Sequence, residues 1–324
     1  MKIPERAVVR VYACGIFAEP TFKSEMVNQA LLWEEVFISD KKNNWYKIQL
    51  KHDGYEGWIH EMYLNHDKEN VDKLYSESVS KVYRNKASLK LGSYSKFSSK
   101  NNISVSCRIP KKSNRTARMN NDGENWFVGF YPVEKKMGSD DIFINGKVFE
   151  PYVESDYEPG WGKQRINVNG FNKRCLIFYY AFKLLGYPYL WGGRSYQGYD
   201  CSGLVQTCAN LGGYYIPRDT KEQVESSLLY EVSKNEIEPG DLIYFKEKNS
   251  VNHVGILHPD VESPASGKFY IVHASSWTGD VRCLRIGINQ NEVIPFHDEG
   301  YEHTVNSDLK PMKLYKIMRF KDDA

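Results

Sequence analysis

No stretch of this 324-residue chain approaches the roughly 20 uninterrupted apolar residues a membrane-crossing helix needs. The opening MKIPERAVVRVYACGIFAEP carries two early basic residues, but polar and charged positions break it before an apolar segment of signal-peptide length can form. Both absences lead to the expectation of a soluble, cytoplasmic protein with no membrane partner. An excess of one charge is missing too: 43 Lys plus Arg stand against 41 Asp plus Glu. No general pull toward nucleic acid or an anionic surface follows, so a charged partner must be recognised locally. Cysteine is sparse and scattered. Cys14, Cys107, Cys175, Cys201, Cys208 and Cys283 show no paired short spacings, which argues against a zinc module and against a disulfide framework. Free thiols in a reducing compartment are expected, with room for one of them to be chemical.

What is present is length for roughly two or three domains and an aromatic share of 14%, including 23 Tyr, which suits strand-rich modules. Short strands are expected at AVVRVYA (7–13), ALLWEEVFI (30–38), NWYKIQL (44–50) and, after the turn signal HDG, YEGWIHEMYL (55–64). Residues 75–118 are rich in Ser, Lys, Asn and Arg and read as solvated loops, whereas GENWFVGFYPV (123–133) reads as a strand carrying Trp126. The expected domains are 1–70, 71–160 and 161–324.

In the last domain, NKRCLIFYYAFKLLG (172–186) predicts a helix with Leu176, Ile177, Tyr180, Phe182, Leu184 and Leu185 on its apolar face, started by Asn172 and stopped by Gly186. Cys175 would be a small buried hydrophobe on it. A second helix is expected over 202–211, with Leu204, Val205, Cys208 and Leu211 on one face and Cys201 at its N-terminus. There, unpaired N–H groups and the positive end of the helix dipole lower a thiol pKa and can cradle an oxyanion. A nucleophile needs a base. VNHVGIL (251–257) and FYIVHAS (269–275) are β-patterned runs that, paired about residue 263, place His253 opposite His273 on one face. His253 would take the thiol proton and His273 would orient its ring. Each residue alone also suits a structural role. A zinc site from Cys201, Cys208 and the two histidines is rejected, because seven helical residues separate the cysteines by about 10 Å. His258, His297 and His303 read as surface or loop residues.

The blocks YPYLWGGRSYQGYDCSGLVQ, YIPRDTKEQ, EPGDLIYF, NHVGIL and YIVHAS resemble, in order, the signatures of the NlpC family of papain-like cysteine peptidases over about residues 171–320. The pattern NQALLWEEVFI, NWYKIQ and DGYEGWI, with Trp45, Tyr55, Gly57 and Trp58, resembles a bacterial SH3-like domain, and the central region allows a second, divergent one. Either Trp45 or Trp58 also suits a small barrel core. The implied fold class is α+β: a papain-like domain preceded by one or two small β barrels.

The resemblance implies Cys201 as nucleophile, His253 as base and His273 as orienting residue, with no metal or organic cofactor. It implies cleavage between γ-D-glutamate and the diamino acid of peptidoglycan stem peptides. The SH3-like modules narrow it to the cytoplasmic γ-D-glutamyl-L-diamino acid endopeptidases, recycling enzymes that require a free N-terminal L-alanine. Asp200, Glu25 and Tyr55 would then hold that amine; Tyr189 and Trp191 would wall the cleft, Ser202 bind the substrate backbone, and Arg218 and Thr220 line the opposite side. Plainer readings stay open: Asp200 as a helix cap, Glu25 as a surface acid, and Tyr189 and Trp191 as core. Thr220 stands where the family would have serine, and the His253–His273 interval is long, consistent with an enlarged loop at PDVESPASGK. Two competing readings are a wall-binding protein with an inactive peptidase domain, and an amidase or acyltransferase on the same scaffold.

Overall fold

The structure, a computed structural model, describes residues 5–32, 34–66, 174–260, 267–295 and 311–321, together with the backbone of seven strands between 67 and 173. The chain forms two compact units, 1–152 and 153–324. No described helix is long and apolar enough to cross a membrane.

In the first unit, β1 (Arg6–Val9), β2 (Ala13–Phe17), β3 (Met26–Leu31), β4 (Glu35–Lys42), β5 (Trp45–Leu50), β6 (Glu56–His60) and β7 (Leu64–Asn65) make an antiparallel sheet in the order β3-β2-β6-β5-β4-β1-β7. Alternation along the strands sends Ala7, Val9, Ile16, Val36, Ile48, Leu50 and Ile59 into one core. Trp45 is buried in this unit and Trp58 half-buried. Gly54 takes the turn expected at HDG, with φ of +76°.

Two expected strands are each broken. AVVRVYA stops at Val9 and a strand restarts at Ala13; between them Arg10 N–H donates to the Tyr63 carbonyl and the Tyr12 carbonyl accepts from Leu32 N–H. ALLWEEVFI turns after Leu31, where the Glu34 carboxylate accepts the Leu31 N–H at 2.8 Å. Both corners lie inside apolar runs, so hydrophobicity could not reveal them; a buried acidic side chain makes the second.

Further along, β8 (Val79–Lys81) pairs with β11 (Arg108–Pro110). A separate sheet orders β10 (Lys100–Ile103), β9 (Ala87–Leu91), β14 (Asp141–Asn145), β13 (Asn125–Phe130) and β12 (Arg118–Met119). The strand expected around Trp126 is β13.

The second unit contains α1 (Arg174–Lys183), the short β15 (Arg194–Ser195) and β16 (Gly198–Tyr199), α2 (Cys201–Leu211) and α3 (Thr220–Val224). After them come β17 (Leu229–Glu231), β18 (Leu242–Glu247), β19 (Ser250–Pro259), β20 (Lys268–Ser275), β21 (Asp280–Asn289), β22 (Glu292–Pro295) and β23 (Met312–Phe320). The sheet runs β17-β23-β18-β19-β20-β21-β22, and a β22–β23 pairing closes β18 to β23 into an antiparallel barrel. Period-two alternation divides β18. Leu242 and Tyr244 pack with Leu204, Val205, Cys208, Val254, Ile256 and Val272 against the helices. Ile243 and Phe245 join Leu257, Ile271, Ile286 and Ile317 on the other face. Fully burying a side chain such as Leu204 contributes about 1.5–3 kcal/mol, and α2 is held between α1 and strands β19 and β20.

The expected faces fare differently in the two helices. In α2 the four expected residues, Leu204, Val205, Cys208 and Leu211, are all buried. In α1 the buried positions are Arg174, Ile177, Phe178 and Ala181, while Phe182 is exposed and Cys175 and Leu176 are half-buried. CLIFYYAF is apolar on every side, so its periodicity cannot choose a face. Its start signal, Asn172, lies outside the described residues, as do His297 and His303. His258 is not a surface residue: it lies in β19, its ring 4.6 Å from that of Phe178.

Candidate active site

The thiol is mounted by its neighbours. Asp200, at the N-cap of α2 with φ −90° and ψ 177°, accepts the Gly203 N–H through Oδ1 at 2.6 Å and the Gly192 N–H through Oδ2 at 2.8 Å. Arg218 grips the same carboxylate with Nη1 to Oδ1 at 3.0 Å and Nη2 to Oδ2 at 2.6 Å, and donates from Nη1 to Ser202 Oγ at 2.8 Å. A side chain at Gly203 would meet the Gly193 carbonyl at 2.2 Å, so only glycine lets the first turn of α2 lie against the 192–193 backbone. The motif GYDCSG thus builds a rigid socket with the Cys201 side chain at the head of a helix. The sulfur stands 4.0 Å from Thr220 Oγ1 and accepts the backbone N–H of Val254, the residue after His253.

His253 and His273 come together, Nε2 to Nδ1 at 2.8 Å with ring centroids 5.0 Å apart. The hairpin that brings them is centred one residue later than expected, about 264, since Ile256 pairs with Val272 and Leu257 with Ile271. Continued inward, this register sets His273 beside Gly255, and His253 reaches it on the diagonal. A shift of two in partner leaves both rings on the same face, where one of a single residue would have separated them. A side chain at Gly255 would come within 2.5 Å of Ile271 Cδ1 and 3.3 Å of His273 Cβ, so the glycine keeps the diagonal open. His253 Nε2 faces His273, which leaves Nδ1 as the ring nitrogen of His253 not engaged in the pair. In the tautomer with the proton on His253 Nε2, His273 accepts at Nδ1 and carries its own proton on Nε2, a buried atom with no hydrogen-bond partner among the described residues.

Electrostatics depart from the expectation of a lowered thiol pKa. Burial, then the Asp200 charge, pushes Cys201 up to about 11, and the Thr220, Val254 and Arg218 contacts only oppose this. Desolvation outweighs the helix N-terminus. Burial likewise pulls His253 down to about 4 and His273 well below the usual imidazole value, the latter also disfavoured by His253 and Arg282. The resting pair is therefore neutral thiol and neutral imidazole. Burial first, then negative charge at Cys201, once that thiol is ionised, and at Asp200, pushes the half-buried Tyr189 far up, so its phenol keeps its proton.

The other expected site residues are distributed as follows. Ser202 and Arg218 are buried in the Asp200 network, with the Arg218 side chain 1% exposed; Arg218 braces the socket instead of lining a cleft. Asp200 is both capping group and partner of a buried guanidinium. Trp191 is 60% exposed and core packing is excluded for it. Glu25 and Tyr55 belong to the first unit: Glu25 is exposed, and the half-buried Tyr55 donates its hydroxyl to the Val27 carbonyl at 3.3 Å. Among the described residues no group of His, Cys, Asp and Glu could hold a metal ion.

Three contributors were passed over in the sequence. The Val254 N–H is a backbone group and leaves no trace in residue type. Gln223 is fully buried, its amide donating to the carbonyls of Ser202 at 3.1 Å and Pro217 at 2.9 Å, so it ties α3 to the head of α2; the block YIPRDTKEQ contained it without marking it. Asp219 is the N-cap residue of α3 yet makes no side-chain cap bond, and it adjoins Thr220 at the sulfur.

Residues 186–292 match the NlpC/P60 family, and residues 16–64 match the bacterial dipeptidyl-peptidase Sh3 domain. A protein of Bacillus cereus named gamma-D-glutamyl-L-lysine dipeptidyl-peptidase is 28% identical over 261 residues, which covers 74% of this chain and 67% of that protein. The Bacillus subtilis protein of the same name is 38% identical over 90 residues, 26% of this chain and 30% of that one. The crystal structure of an NlpC/P60 family protein from Bacillus cereus has a TM-score of 0.66 at 22% identity, covering 97% of this chain and 99% of that one, a likeness of fold.

Proposed function

Starting from a chain that carries an NlpC/P60 domain behind a bacterial dipeptidyl-peptidase SH3 domain, we propose that it is a cysteine peptidase that hydrolyses the γ-D-glutamyl bond to the diamino acid in peptidoglycan stem peptides. The observation that carries this reading is the 2.8 Å imidazole pair adjoining the residue whose N–H meets the Cys201 sulfur. The names of the Bacillus relatives support the choice of bond.

In this mechanism Cys201 Sγ attacks the γ-carbonyl carbon as its proton passes to His253 Nδ1. Starting from a neutral pair, transfer and attack go together, and the imidazolium that forms is steadied by its Nε2–H bond to His273. The oxyanion is met by the N–H groups at the head of α2, those of Cys201 and Ser202 being outside the cap bonds, and by the protonated Tyr189 phenol. The C–N bond then breaks as His253 returns the proton to the leaving nitrogen, leaving a thioester on Cys201. Water, giving a proton to His253, attacks the thioester and releases the acid, and the proton returns to sulfur.

The finer reading is a recycling enzyme of the cytoplasm that takes soluble peptides with a free N-terminal L-alanine. It rests on the resemblance set out above, in which Glu25, Tyr55 and Asp200 hold the amine. Of these residues Asp200 already serves Arg218. The test is mass spectrometry of L-Ala-γ-D-Glu-diamino acid peptides, free and N-acetylated, incubated with wild type and Cys201→Ala. Release of L-Ala-D-Glu by wild type alone is expected, and only from the free-amine peptide. Equal products from both proteins would overturn the assignment, and equal cleavage of the acetylated peptide would remove the amine requirement.

A further inference from the structure

Trp277 is 65% exposed, more than any other large apolar side chain among the described residues, and its ring meets no other ring or cation there. An indole left in water is common on a loose loop. Here the mount is rigid. The 276–279 turn between β20 and β21 is tied by Gly279 N–H to the Ser275 carbonyl at 2.9 Å, by Trp277 N–H to Ser275 Oγ at 3.2 Å and by Thr278 Oγ1 to the Ser275 carbonyl at 3.3 Å. Arg282 clamps its far side by gripping Asp280 at 2.7 Å and 3.0 Å. The turn is also joined to the site. The Gly279 carbonyl accepts the Tyr189 N–H at 2.8 Å, Pro188 bridges to Asp280, and Tyr189 bridges to Tyr199, two residues before Cys201. On its other side the turn follows His273 directly along β20.

In the proposed mechanism the leaving nitrogen must come to His253 Nδ1, so the residue it belongs to lies on the side of the histidines, and this turn follows the strand that carries His273. In the peptides proposed above that residue is a diamino acid, with an aliphatic stem ending in an ammonium. Both parts suit the face of an exposed indole, the stem by packing and the cation by attraction to the ring quadrupole. Resting on the proposed function, we infer that Trp277 is a specificity-determining residue that receives the side chain of the leaving diamino acid. A surface so held loses little entropy on binding.

Steady-state hydrolysis of L-Ala-γ-D-Glu-L-Lys, and of the same peptide with its lysine side chain acetylated, tests this in wild type, Trp277→Ala and Trp277→Phe. Wild type is expected to favour the charged peptide, and Trp277→Ala to raise its KM by about three- to tenfold and erase the preference. Trp277→Phe should restore part of it, which a merely structural role would not require. Direct binding of both peptides to Cys201→Ala and to Cys201→Ala/Trp277→Ala should give the same ratio without turnover. If wild type cleaves the peptides and Trp277→Ala has the same KM and preference, the inference is wrong while the proposed function stands. If wild type cleaves neither, the proposed function fails and takes this inference with it.

Discussion

Arg218 Nη2 lies 2.6 Å from Asp200 Oδ2, and Asp200 is the residue that caps the helix carrying Cys201. The Cys201 thiol is therefore aimed by a buried ion pair that need not itself touch a substrate. Such a pair contributes modestly while intact, but losing one partner strands a charge in the interior. Arg218→Met should lower the unfolding free energy of the second unit by about 3–5 kcal/mol. Arg218→Met combined with Asp200→Asn should recover part of that loss. Urea unfolding measures both, and a single variant within 1 kcal/mol of wild type would show that the pair does not hold the helix.

The imidazole pair gives a second expectation. His273 accepts from His253 Nε2, so His273→Ala removes the acceptor and leaves the base free to turn. The fall in kcat should be about 10²–10³-fold, within the range for a general base that has lost its setting. His273→Asn, which offers an amide oxygen, should retain more activity than alanine. Equal activity of the two variants, measured at saturating peptide, would mean that His273 does not orient the base.

Cys201, the helix behind it and the two histidines were legible because each is announced by residue type: a glycine-flanked cysteine before a helical run, and one imidazole in each of two β-patterned runs. The polar frame was not. Arg218 reads in sequence as a residue lining the cleft with Thr220, and only its approach to Asp200, 18 positions earlier, shows that it is internal. The hairpin centre was missed by one residue because the sequence between the two β-patterned runs carries no two-residue turn signal that would fix the register. The thiol pKa was misjudged in direction because a helix N-terminus can be read from sequence, whereas the burial that overrides it depends on everything packed around the site.

Gly255 permits a test of the register. Alanine there would meet Ile271 within 2.6 Å and press on His273. Overpacking of this kind costs about 1–3 kcal/mol. Gly255→Ala should lower stability by that amount and reduce kcat more than it changes KM, because the displaced strand carries the orienting histidine. Unaltered kcat in a folded variant would contradict the diagonal placement of the two rings.

The electrostatics make the resting state of the thiol measurable. With Cys201 pushed up to about 11, labelling of this sulfur by a neutral alkylating reagent in the absence of substrate should be slow at pH 7 and rise toward pH 11. A resting thiolate would instead label at nearly constant rate from pH 6 upward, and that outcome would restore the helix-dipole expectation. The histidines set the acid side. His253 ionises at 6.5 in the unfolded chain and at about 4 when folded, so below 6.5 the unfolded state binds the extra proton first. Its contribution to stability is complete above 6.5 and is lost as pH falls to about 4, a change of about 3 kcal/mol. Burial pulls His273 down as well, so it adds to the loss in the same direction. Urea midpoints followed from pH 7.5 to 4.5 should therefore fall, and should fall less in His273→Asn, which has one fewer buried imidazole to protonate on unfolding. A midpoint independent of pH across that interval would mean that these rings are open to solvent in the folded protein.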